Sequence, residues 1–404
     1  MISKIFLKDF RGIKEQEINL GKISILTGPN NSGKSTVIYG LLTLKNIILN
    51  SNQSLDSFLN LGFLSLGGFT QAVYFKEENR QISLGIATEA NDISSEYHAT
   101  LGKKASSLSV QALSPLEVKV DLDVTFPYAA NASKGVELSS EYGKINITWN
   151  GITPTITADP VEASLANKQK AFLQQVSMSL TNPLEELRSV DFVPLRRGFT
   201  KPTYSSVPLQ SQLLSDDELS TLLATDRDLE GRVAFYLEKI LDRTFSVRPT
   251  IGTANFALQS RDRITGFVSD LVNEGFGTNQ LVTILTKALR REVSTICIEE
   301  AEIHLHPELM DKVVAVLIEI AKDENKQFII STHSEHIVSS ALTHISKGKL
   351  DCKDLKLYYL HKEKKNTMIE EQKVNQKGQV EGGLKSFYET DLKNIRDFFN
   401  ISNE

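Results

Sequence analysis

Two motifs near opposite ends of this 404-residue chain constrain its fold more than any other feature. Gly28–Ser35 reads GPNNSGKS and fits the phosphate-loop pattern G-x-x-x-x-G-K-[ST] in full. It follows an apolar run, Ile23–Leu26, and precedes a helical pattern over 34–50, which is the strand–loop–helix context that the pattern requires. The second motif, Thr295–Pro307, reads TICIEEAEIHLHP and is an apolar strand that ends in two carboxylates. Strands and helices alternate at both ends, so we predict one parallel α/β core into which the middle of the chain is inserted.

The phosphate loop predicts how an anionic ligand would be held. Its glycines let backbone amides curl around phosphate oxygens, and the following helix N-terminus adds a favourable dipole. We expect Lys34 to reach the β- and γ-phosphates of a nucleotide and the Ser35 hydroxyl to bind Mg²⁺. Asn31 tolerates left-handed backbone geometry better than most residues, so the loop does not need glycine there. The residues expected to contact the nucleotide are Asn30, Asn31, Ser32, Gly33, Lys34, Ser35 and Thr36.

The carboxylate strand end predicts two separate roles. Glu299 and Glu300 would be costly inside a core unless they are paired or bound to a cation. Consecutive residues of a strand face opposite sides, so we expect one to face the Mg²⁺ shell and the other to face an attacking water. A polar strand end facing solvent is the alternative, and the phosphate loop in the same chain makes it less favoured.

Two further loops carry candidate residues. STHSEH (331–336) follows the apolar strand Phe328–Ile330, which puts His333 at a strand terminus, where open α/β sheets carry chemistry. NEGFGTNQ (Asn273–Gln280) precedes a helix predicted from Gln280 to Arg291, and its glycines make a second anion-binding surface. Such a surface suits the γ-phosphate of a nucleotide held by another subunit, although a simple capping turn is the alternative. Zinc bound by the histidines is a less favoured interpretation, since no cysteine or carboxylate cluster completes such a site.

The middle of the chain departs from the α/β alternation. Short β patterns run from Ala72 to Ile156, among them VYF at Val73 and the alternating residues Val118, Val120, Leu122 and Val124. Residues 161–190 and 215–243 have helical patterns. We therefore predict four parts: 1–71, the N-terminal part of the core; 72–160, a β-rich insert; 161–268, a helical and mixed subdomain; and 269–404, the C-terminal part of the core with its glycine-rich segment, carboxylates and His333.

Composition narrows the class of protein. A net charge of −5, from 45 Lys+Arg against 50 Asp+Glu, argues against a globally basic nucleic-acid protein, while a local basic groove stays open. The two cysteines are expected to be free thiols. The chain has no apolar run of about 18 residues and no signal-peptide pattern, so we expect a cytoplasmic protein without a membrane span.

The order of these motifs resembles that of ABC-type ATPase heads, specifically the SMC/RecF/OLD group. The resemblance implies a P-loop NTPase fold of ABC-ATPase type, hydrolysis of ATP with Mg²⁺, and a homodimer that sandwiches ATP between two heads. The segments that carry it span nearly the whole chain in the family's order: Phe10–Gly12 (FRG), Gly28–Thr36, Asn273–Gln280, Ile298–Pro307 and Ser331–Ser334.

The resemblance also assigns roles near the N-terminus. Arg11 would lie near the nucleotide. Gln71 is the candidate for the Q-loop residue that touches Mg²⁺ or water, and it is chosen for its place before the β pattern at Val73. Ala301 replaces the proline that is frequent in the family's carboxylate motif, which removes no group that hydrolysis needs.

In the C-terminal part, Glu299 would bind Mg²⁺ where these ATPases usually have Asp, and Glu300 would polarise the attacking water. His333 would contact the γ-phosphate. The partner subunit's γ-phosphate would be capped by the glycine-rich segment, which carries Thr-Asn where a serine often sits; its residues are Gly275, Gly277, Thr278 and Asn279.

The resemblance implies a stand-alone OLD-like AAA ATPase. OLD-family nucleases continue into a metal-binding TOPRIM domain, whereas the residues after His333 lack a convincing cluster of acidic metal ligands. Such an ATPase would regulate a separate effector, for example a nuclease, in bacterial antiphage defence. The alternative is an ATP-dependent DNA-binding clamp of RecF/SMC type in repair or recombination, so DNA stays open as a ligand.

Two other segments allow more than one interpretation. Pro194–Arg197 (PLRR) resembles a segment of OLD-like ATPases from which Arg196 or Arg197 would reach phosphate or DNA, and a solvated basic turn is the alternative. Apolar residues recur at helical spacing from Leu384 to Phe399. They predict a terminal helix that docks on its own domain, or alternatively one that binds a partner.

Overall fold

The computed structural model describes residues 1–90, 92–114, 120–126, 134–140, 142–162, 164–210 and 213–384. Its strands are β1 (Ile2–Phe10), β2 (Ile13–Asn19), β3 (Ile23–Thr27), β4 (Ile82–Ala90), β5 (Ile93–Leu101), β6 (Ser106–Ser114), β7 (Val120–Phe126), β8 (Lys134–Ser140), β9 (Gly143–Trp149), β10 (Pro154–Ala158), β11 (Val190–Val193), β12 (Arg243–Pro249), β13 (Phe256–Asp262), β14 (Val268–Asp270), β15 (Thr295–Glu299), β16 (Gln327–Thr332), β17 (Leu355–Glu363) and β18 (Asn366–Gln372). Its α-helices are α1 (Lys34–Leu49), α2 (Leu55–Phe58), α3 (Gly68–Ala72), α4 (Ala166–Arg188), α5 (Asp216–Thr225), α6 (Arg227–Leu241), α7 (Phe276–Ala288), α8 (Pro307–Asp323) and α9 (Glu335–Ser346).

The chain forms two compact units, and both are discontinuous in sequence. The first unit comprises Met1–Leu20, Ser35–Val190 and Lys362–Met368. The second comprises Gly21–Lys34, Asp191–His361 and the residues from Ile369 on. The phosphate loop thus belongs to the second unit as far as Lys34, and Ser35 begins a segment of the first unit.

Antiparallel sheets dominate the first unit. One sheet has the order β2-β1-β4-β5-β6-β7, and a smaller one has the order β10-β9-β8. Along β5, buried residues alternate with partly exposed ones, which is the period of two that a strand with one buried face requires. Helix α4 packs against β4, β5 and β6. These sheets confirm the predicted antiparallel β structure, while β1 and β2, which the prediction placed in the α/β core, belong to the same sheet as β4 to β7.

The β pattern at Val73 is the main error in this unit. Val73 forms only an isolated bridge with Phe10, and Tyr74–Lys76 form a 3₁₀ turn. Phe75 and Lys76 both have positive φ, of 54° and 59°, so the chain turns back instead of extending. Gln71, chosen because a strand was expected after it, lies exposed in α3.

A parallel sheet forms the core of the second unit. Its strand order is β11-β15-β16-β3-β17-β18, and the pairs β15/β16, β16/β3 and β3/β17 are parallel. Every residue of β3, β15 and β16 is buried, as expected of a parallel sheet whose two faces are both covered. Together with the antiparallel sheets, this confirms the predicted α/β class.

The register of this sheet brings three strand ends together. Thr332 of β16 is paired with Thr27 of β3, and Glu299 of β15 is paired with Ser331. The carboxyl ends of β3, β15 and β16 therefore meet at one edge, where ligands bind in open α/β sheets.

Helices of the second unit occur close to where the sequence predicts them. Strand β16 confirms the apolar strand expected at 328–330, and helix α8 precedes it. Helix α7 starts at Phe276, four residues before the predicted start, because its first turn is already packed: Thr278, Asn279 and Gln280 are buried. Helix α6 packs against α7, α8 and β12.

The predicted C-terminal helix from Leu384 to Phe399 lies outside the described residues, apart from Leu384. Among the helices in the described ranges, none combines the length and the apolar character that crossing a membrane requires.

We expect Trp149→Ala to lower the free energy of unfolding by about 3–5 kcal/mol, because a fully buried aromatic side chain would leave a cavity. Trp149 of β9 is fully buried, and its ring meets the ring of Tyr97 in β5 edge-on, with centroids 6.3 Å apart. Urea unfolding followed by far-UV circular dichroism measures the change. Met178→Ala, at a side chain that is 46% exposed in α4, is the control and should cost at most about 0.5 kcal/mol. A cost for Trp149→Ala no larger than that of the control would contradict the packing described here.

Candidate nucleotide-binding site

The loop between β3 and α1 has the backbone geometry of a phosphate cradle. Gly28, Asn31 and Gly33 have φ values of 142°, 64° and 105°. Asn31 is thus in the left-handed conformation that its side chain tolerates. A Cβ atom on Gly28 would lie 2.1 Å from the carbonyl oxygen of Leu360 in β17. Only glycine therefore lets the loop leave β3 so close to its neighbouring strand.

Lys34 folds back onto this loop. Its Nζ donates to the carbonyl oxygens of Gly28 at 2.8 Å and Pro29 at 3.0 Å. Burial lowers the pKa of Lys34, while the charges of Glu300 and Glu302 act in the opposite direction. The ammonium is thus partly desolvated and close to two carboxylates, and an anionic ligand would stabilise its charge further.

Two hydroxyl groups, one at the end of β3 and one in the loop that follows, have unused hydrogen-bonding capacity. The Oγ of Ser32 and the Oγ1 of Thr27 are buried and make no hydrogen bond to any described residue. Buried polar atoms are costly without a partner, so these two atoms are candidates to face a polar ligand. Asn30 is exposed at the tip of the loop.

Glu299 and Glu300 take different positions, although not for the reason expected. Strand β15 ends at Glu299, which is buried, and its Oε1 has no hydrogen-bond partner within the described ranges. Glu300 lies beyond the strand with φ of 46°, and its amide donates to the carbonyl of Ser331 at 2.8 Å. The prediction that both residues alternate along one strand is wrong, because the chain turns at Glu300.

That turn directs Glu300 towards His333. The Oε1 of Glu300 lies 2.8 Å from the Nε2 of His333, and the two side chains are 23% and 40% exposed. The two side chains are therefore in close contact and reachable from solvent. The two residues predicted to carry catalysis are in contact.

Glu302 is a third carboxylate that the sequence interpretation missed. Its Oε1 accepts from the Thr332 hydroxyl at 2.6 Å and from the amide of His333 at 3.1 Å. It thereby holds the turn that carries His333. The signal was available, because Glu302 stands two residues after Glu300 in the same motif.

Arg197 is partly buried at the strand end, and its guanidinium is bonded to backbone carbonyls. Its Nη1 donates to the carbonyl of Glu299 at 2.5 Å and of Pro194 at 3.1 Å, and its Nη2 donates to the carbonyl of Glu300 at 2.7 Å. Burial lowers the pKa of Arg197 to about 10, against the opposing charges of nearby carboxylates. A solvated basic turn therefore does not describe Arg197, whereas Arg196 is exposed in the same turn, and contact of either arginine with phosphate or DNA stays a prediction.

The glycine-rich segment forms the N-terminal turn of α7. Gly275 is the N-cap residue, and it is exposed together with Phe276, whose ring lies 5.3 Å from that of His304. Thr278 and Asn279, by contrast, are buried. The turn thus presents backbone amides at Gly275–Gly277, while the Asn279 side chain bonds to the backbone of Phe199.

The remaining predicted residues belong to the first unit. Ser35 and Thr36 lie in the first turn of α1. The amide of Arg11 donates to the carbonyl of Ala72 at 2.6 Å, and its guanidinium lies 5.7 Å from the centre of the Tyr39 ring. The proposed nucleotide contacts of Arg11 and Gln71 stay predictions.

Comparisons with known proteins agree with a nucleotide-binding fold. A family model described as "AAA domain, putative AbiEii toxin, Type IV TA system" matches residues 23–339, from β3 into α9. No curated protein matches the chain.

Several solved structures are similar over most of the chain. The SMC head domain from Thermotoga maritima has 12% identity and a TM-score of 0.46, with 92% of this chain and 99% of that chain covered. An SMC head bound to the C-winged helix domain of ScpA has 11% identity and a TM-score of 0.49, with coverage of 92% and 98%. An SMC head with an extended coiled coil, bound to the C-terminal domain of ScpA derived from Pyrococcus furiosus, has 10% identity and a TM-score of 0.47, with coverage of 92% and 96%.

Lys34→Met tests the burial of the ammonium. Because the folded-state pKa lies below the ordinary value of 10.5, the unfolded chain binds more protons between these two pKa values. The free energy of unfolding of the wild type should therefore rise relative to that of the variant as pH approaches 10.5. Urea unfolding of both proteins from about pH 8 upward measures this difference. Lys353→Met, at an exposed lysine, should leave the difference flat, and a flat difference for Lys34→Met would refute the assignment.

Proposed function

Because this chain belongs to the AAA-domain family described as putative AbiEii toxin of type IV TA systems, we propose that it binds and hydrolyses ATP with Mg²⁺. Two copies would close around two ATP molecules, and the closed state would control a separate effector protein. The observation that carries the proposal is the pair formed by Glu300 and His333, at 2.8 Å, on the sheet edge that also carries the phosphate loop.

The side chains at this edge suit phosphoryl transfer to water. Lys34 would exchange its contacts with two loop carbonyls for the β- and γ-phosphates. Glu300 would orient and polarise the attacking water, a position that a carboxylate reachable from solvent can fill. His333, held by Glu302 through its amide, would contact the γ-phosphate while it keeps Glu300 in place.

The donor set also fits Mg²⁺. Hard cations prefer oxygen ligands, and the buried Oε1 of Glu299 is an unpartnered oxygen that a cation would stabilise. The Ser35 hydroxyl, next to Lys34 in the chain, is the second proposed ligand. Held by these oxygens, Mg²⁺ would supply positive charge that stabilises the phosphate oxygens during transfer.

The exposed turn of α7 supports the proposed dimer. Gly275–Gly277 present amides at a helix N-terminus, where an anion is stabilised. Phe276, between the two glycines, is 74% exposed, and an exposed aromatic residue beside a polar surface is typical of interfaces. We propose that this turn meets the nucleotide of a second copy. Thr278 and Asn279, buried in this conformation, would act by shaping the turn.

The most specific part of the proposal is that the protein controls an effector in antiphage defence. It is supported by the resemblance to OLD-like ATPases and by the family's description as part of a toxin–antitoxin system. An ATP-closed dimer presents surfaces that separate subunits lack, and a partner can select the state that it binds more tightly. The alternative of an ATP-dependent DNA clamp stays a prediction, and salt-dependent DNA binding with and without ATP would test it.

Glu300→Gln should abolish hydrolysis and trap the closed state. The substitution keeps the size of the side chain but removes the charge that polarises water, so kcat should fall by about a hundredfold or more while ATP still binds. Light scattering with ATP and Mg²⁺ should give about twice the mass measured without nucleotide.

Glu308→Gln is the matched control, since the Glu308 side chain is 88% exposed in the first turn of α8. It should hydrolyse ATP at the wild-type rate. A Glu300→Gln protein that stays a monomer at saturating ATP would sink the proposed dimer, and one that hydrolyses ATP normally would remove Glu300 from the mechanism.

A further inference from the structure

We propose that Arg197 is a positioning residue for ATP hydrolysis and that it couples the N-terminal turn of α7 to Glu300. The coupling runs through a segment that we call the strap, residues 197–199, which is anchored at one end to the turn after β15 and at the other end to Asn279. The inference rests on the proposed function in that it assigns hydrolysis to Glu300. The contacts that carry it are independent of any activity.

The first anchor is the guanidinium of Arg197. It donates to the carbonyls of two consecutive residues, Glu299 and Glu300, at 2.5 and 2.7 Å. A planar guanidinium holds both acceptors in one fixed geometry, which a flexible ammonium does not. These carbonyls flank the point at which the chain leaves β15 and adopts φ of 46° at Glu300. Arg197 therefore fixes the backbone from which the Glu300 carboxylate reaches His333.

The second anchor is the side-chain amide of Asn279, in the first turns of α7. Its Oδ1 accepts from the amide of Phe199 at 2.6 Å, and its Nδ2 donates to the carbonyl of Phe199 at 2.7 Å. Asn279 is 8% exposed, so the two bonds are made away from solvent. One side chain thus satisfies both backbone groups of a single strap residue.

Gly198 joins the two anchors. Its φ is +124°, a conformation that other residues rarely adopt. A Cβ atom there would lie 3.1 Å from the Oδ1 of Asn279. Only glycine therefore fits between the two anchors without strain.

A continuous set of contacts follows from these anchors. Asn279 lies within one helical turn of Gly275–Gly277, the amides proposed to meet a second copy's nucleotide. A movement of that turn displaces Phe199, then Arg197, then the carbonyls that set the direction of Glu300. Coupling of this kind needs packed, hydrogen-bonded groups with two arrangements, and the strap connects the two places whose arrangement would change. Arrival of the second subunit would thus align the carboxylate for hydrolysis.

Enzyme kinetics provide the first test, with Arg197→Ala, Arg197→Lys and Arg196→Ala. Arg197→Ala removes the guanidinium that bonds the two carbonyls. It should lower kcat on the order of tenfold to a hundredfold, because Glu300 is still present but misaligned. The Kd for ATP should stay within about threefold, since Lys34 and the loop are untouched. Arg197→Lys should recover part of kcat by bonding one carbonyl, and it keeps the test valid if Arg197→Ala does not fold. Arg196→Ala removes the exposed candidate phosphate contact of the same turn, so any effect it has should fall on the Kd for ATP, whereas Glu308→Gln should match the wild type.

Hydrogen exchange by mass spectrometry provides the second test and does not depend on activity. Arg197→Ala should speed amide exchange in the peptide around Glu300, whose amide donates to Ser331. Asn279→Ala should speed exchange at Phe199 and also around Glu300, whereas Arg196→Ala should change neither. The double variant Arg197→Ala/Asn279→Ala should lose no more kcat than Arg197→Ala alone, because both residues act through the same strap.

The outcomes separate this inference from the proposed function. If the wild type hydrolyses no ATP, the proposed function fails, while exchange around Glu300 still decides whether the strap positions that residue. Wild-type kcat and exchange in Arg197→Lys and Arg197→Ala would overturn the role of Arg197. Faster exchange confined to Phe199 in Asn279→Ala would overturn the coupling.

Discussion

This site depends on the balance between two positive charges, on the buried Lys34 and the partly buried Arg197, and the negative charges of three nearby carboxylates, those of Glu299, Glu300 and Glu302. Lys34 and Arg197 both lose hydration, and burial lowers the pKa of each. Their charges persist because carboxylates of the turn after β15 lie close enough to oppose that effect. Neither set would be stable there alone, since an unpaired buried charge is costly. Among the residues that the structure describes, the arrangement leaves the Oε1 of Glu299 without a hydrogen-bond partner, and this is the oxygen proposed above to bind Mg²⁺.

The parallel sheet is what brings these charges together. The phosphate loop follows β3, the carboxylates follow β15 and His333 follows β16, and the paired register of these strands aligns their ends. A parallel sheet requires long crossover connections. Most of the antiparallel unit lies in the long connection between β3 and β11, and β1 and β2, which precede β3, belong to the same unit. The candidate site residues are thus concentrated in short segments far apart in sequence.

The link from α7 to Glu300 gives a physical basis for hydrolysis that depends on a second copy. A helix N-terminus that only bound a phosphate would increase the affinity for nucleotide. Because α7 is bonded through Asn279 to the strap, nucleotide bound at its N-terminus would in this scheme also affect the position of Glu300. Arg197 makes no contact with substrate in this scheme. It acts through two backbone carbonyls, which is a means of tuning a carboxylate without altering the groups that bind nucleotide. An ATPase whose closed state controls another protein benefits from hydrolysis that waits for closure.

The sequence by itself determined the features that depend on local pattern. The phosphate loop with left-handed Asn31, helix α1, the apolar strands β15 and β16, and the antiparallel character of the insert all follow from residue spacing and from backbone preferences within a few residues. The tertiary structure alone decided the partners of Arg197 and Asn279, which lie 102 and 80 residues away along the chain. It also decided that Val73 starts a turn rather than a strand, and that Glu302 holds His333. The physical reason is that backbone conformation is set largely by neighbours in sequence, whereas a buried polar side chain takes whatever partner the packed fold brings to it.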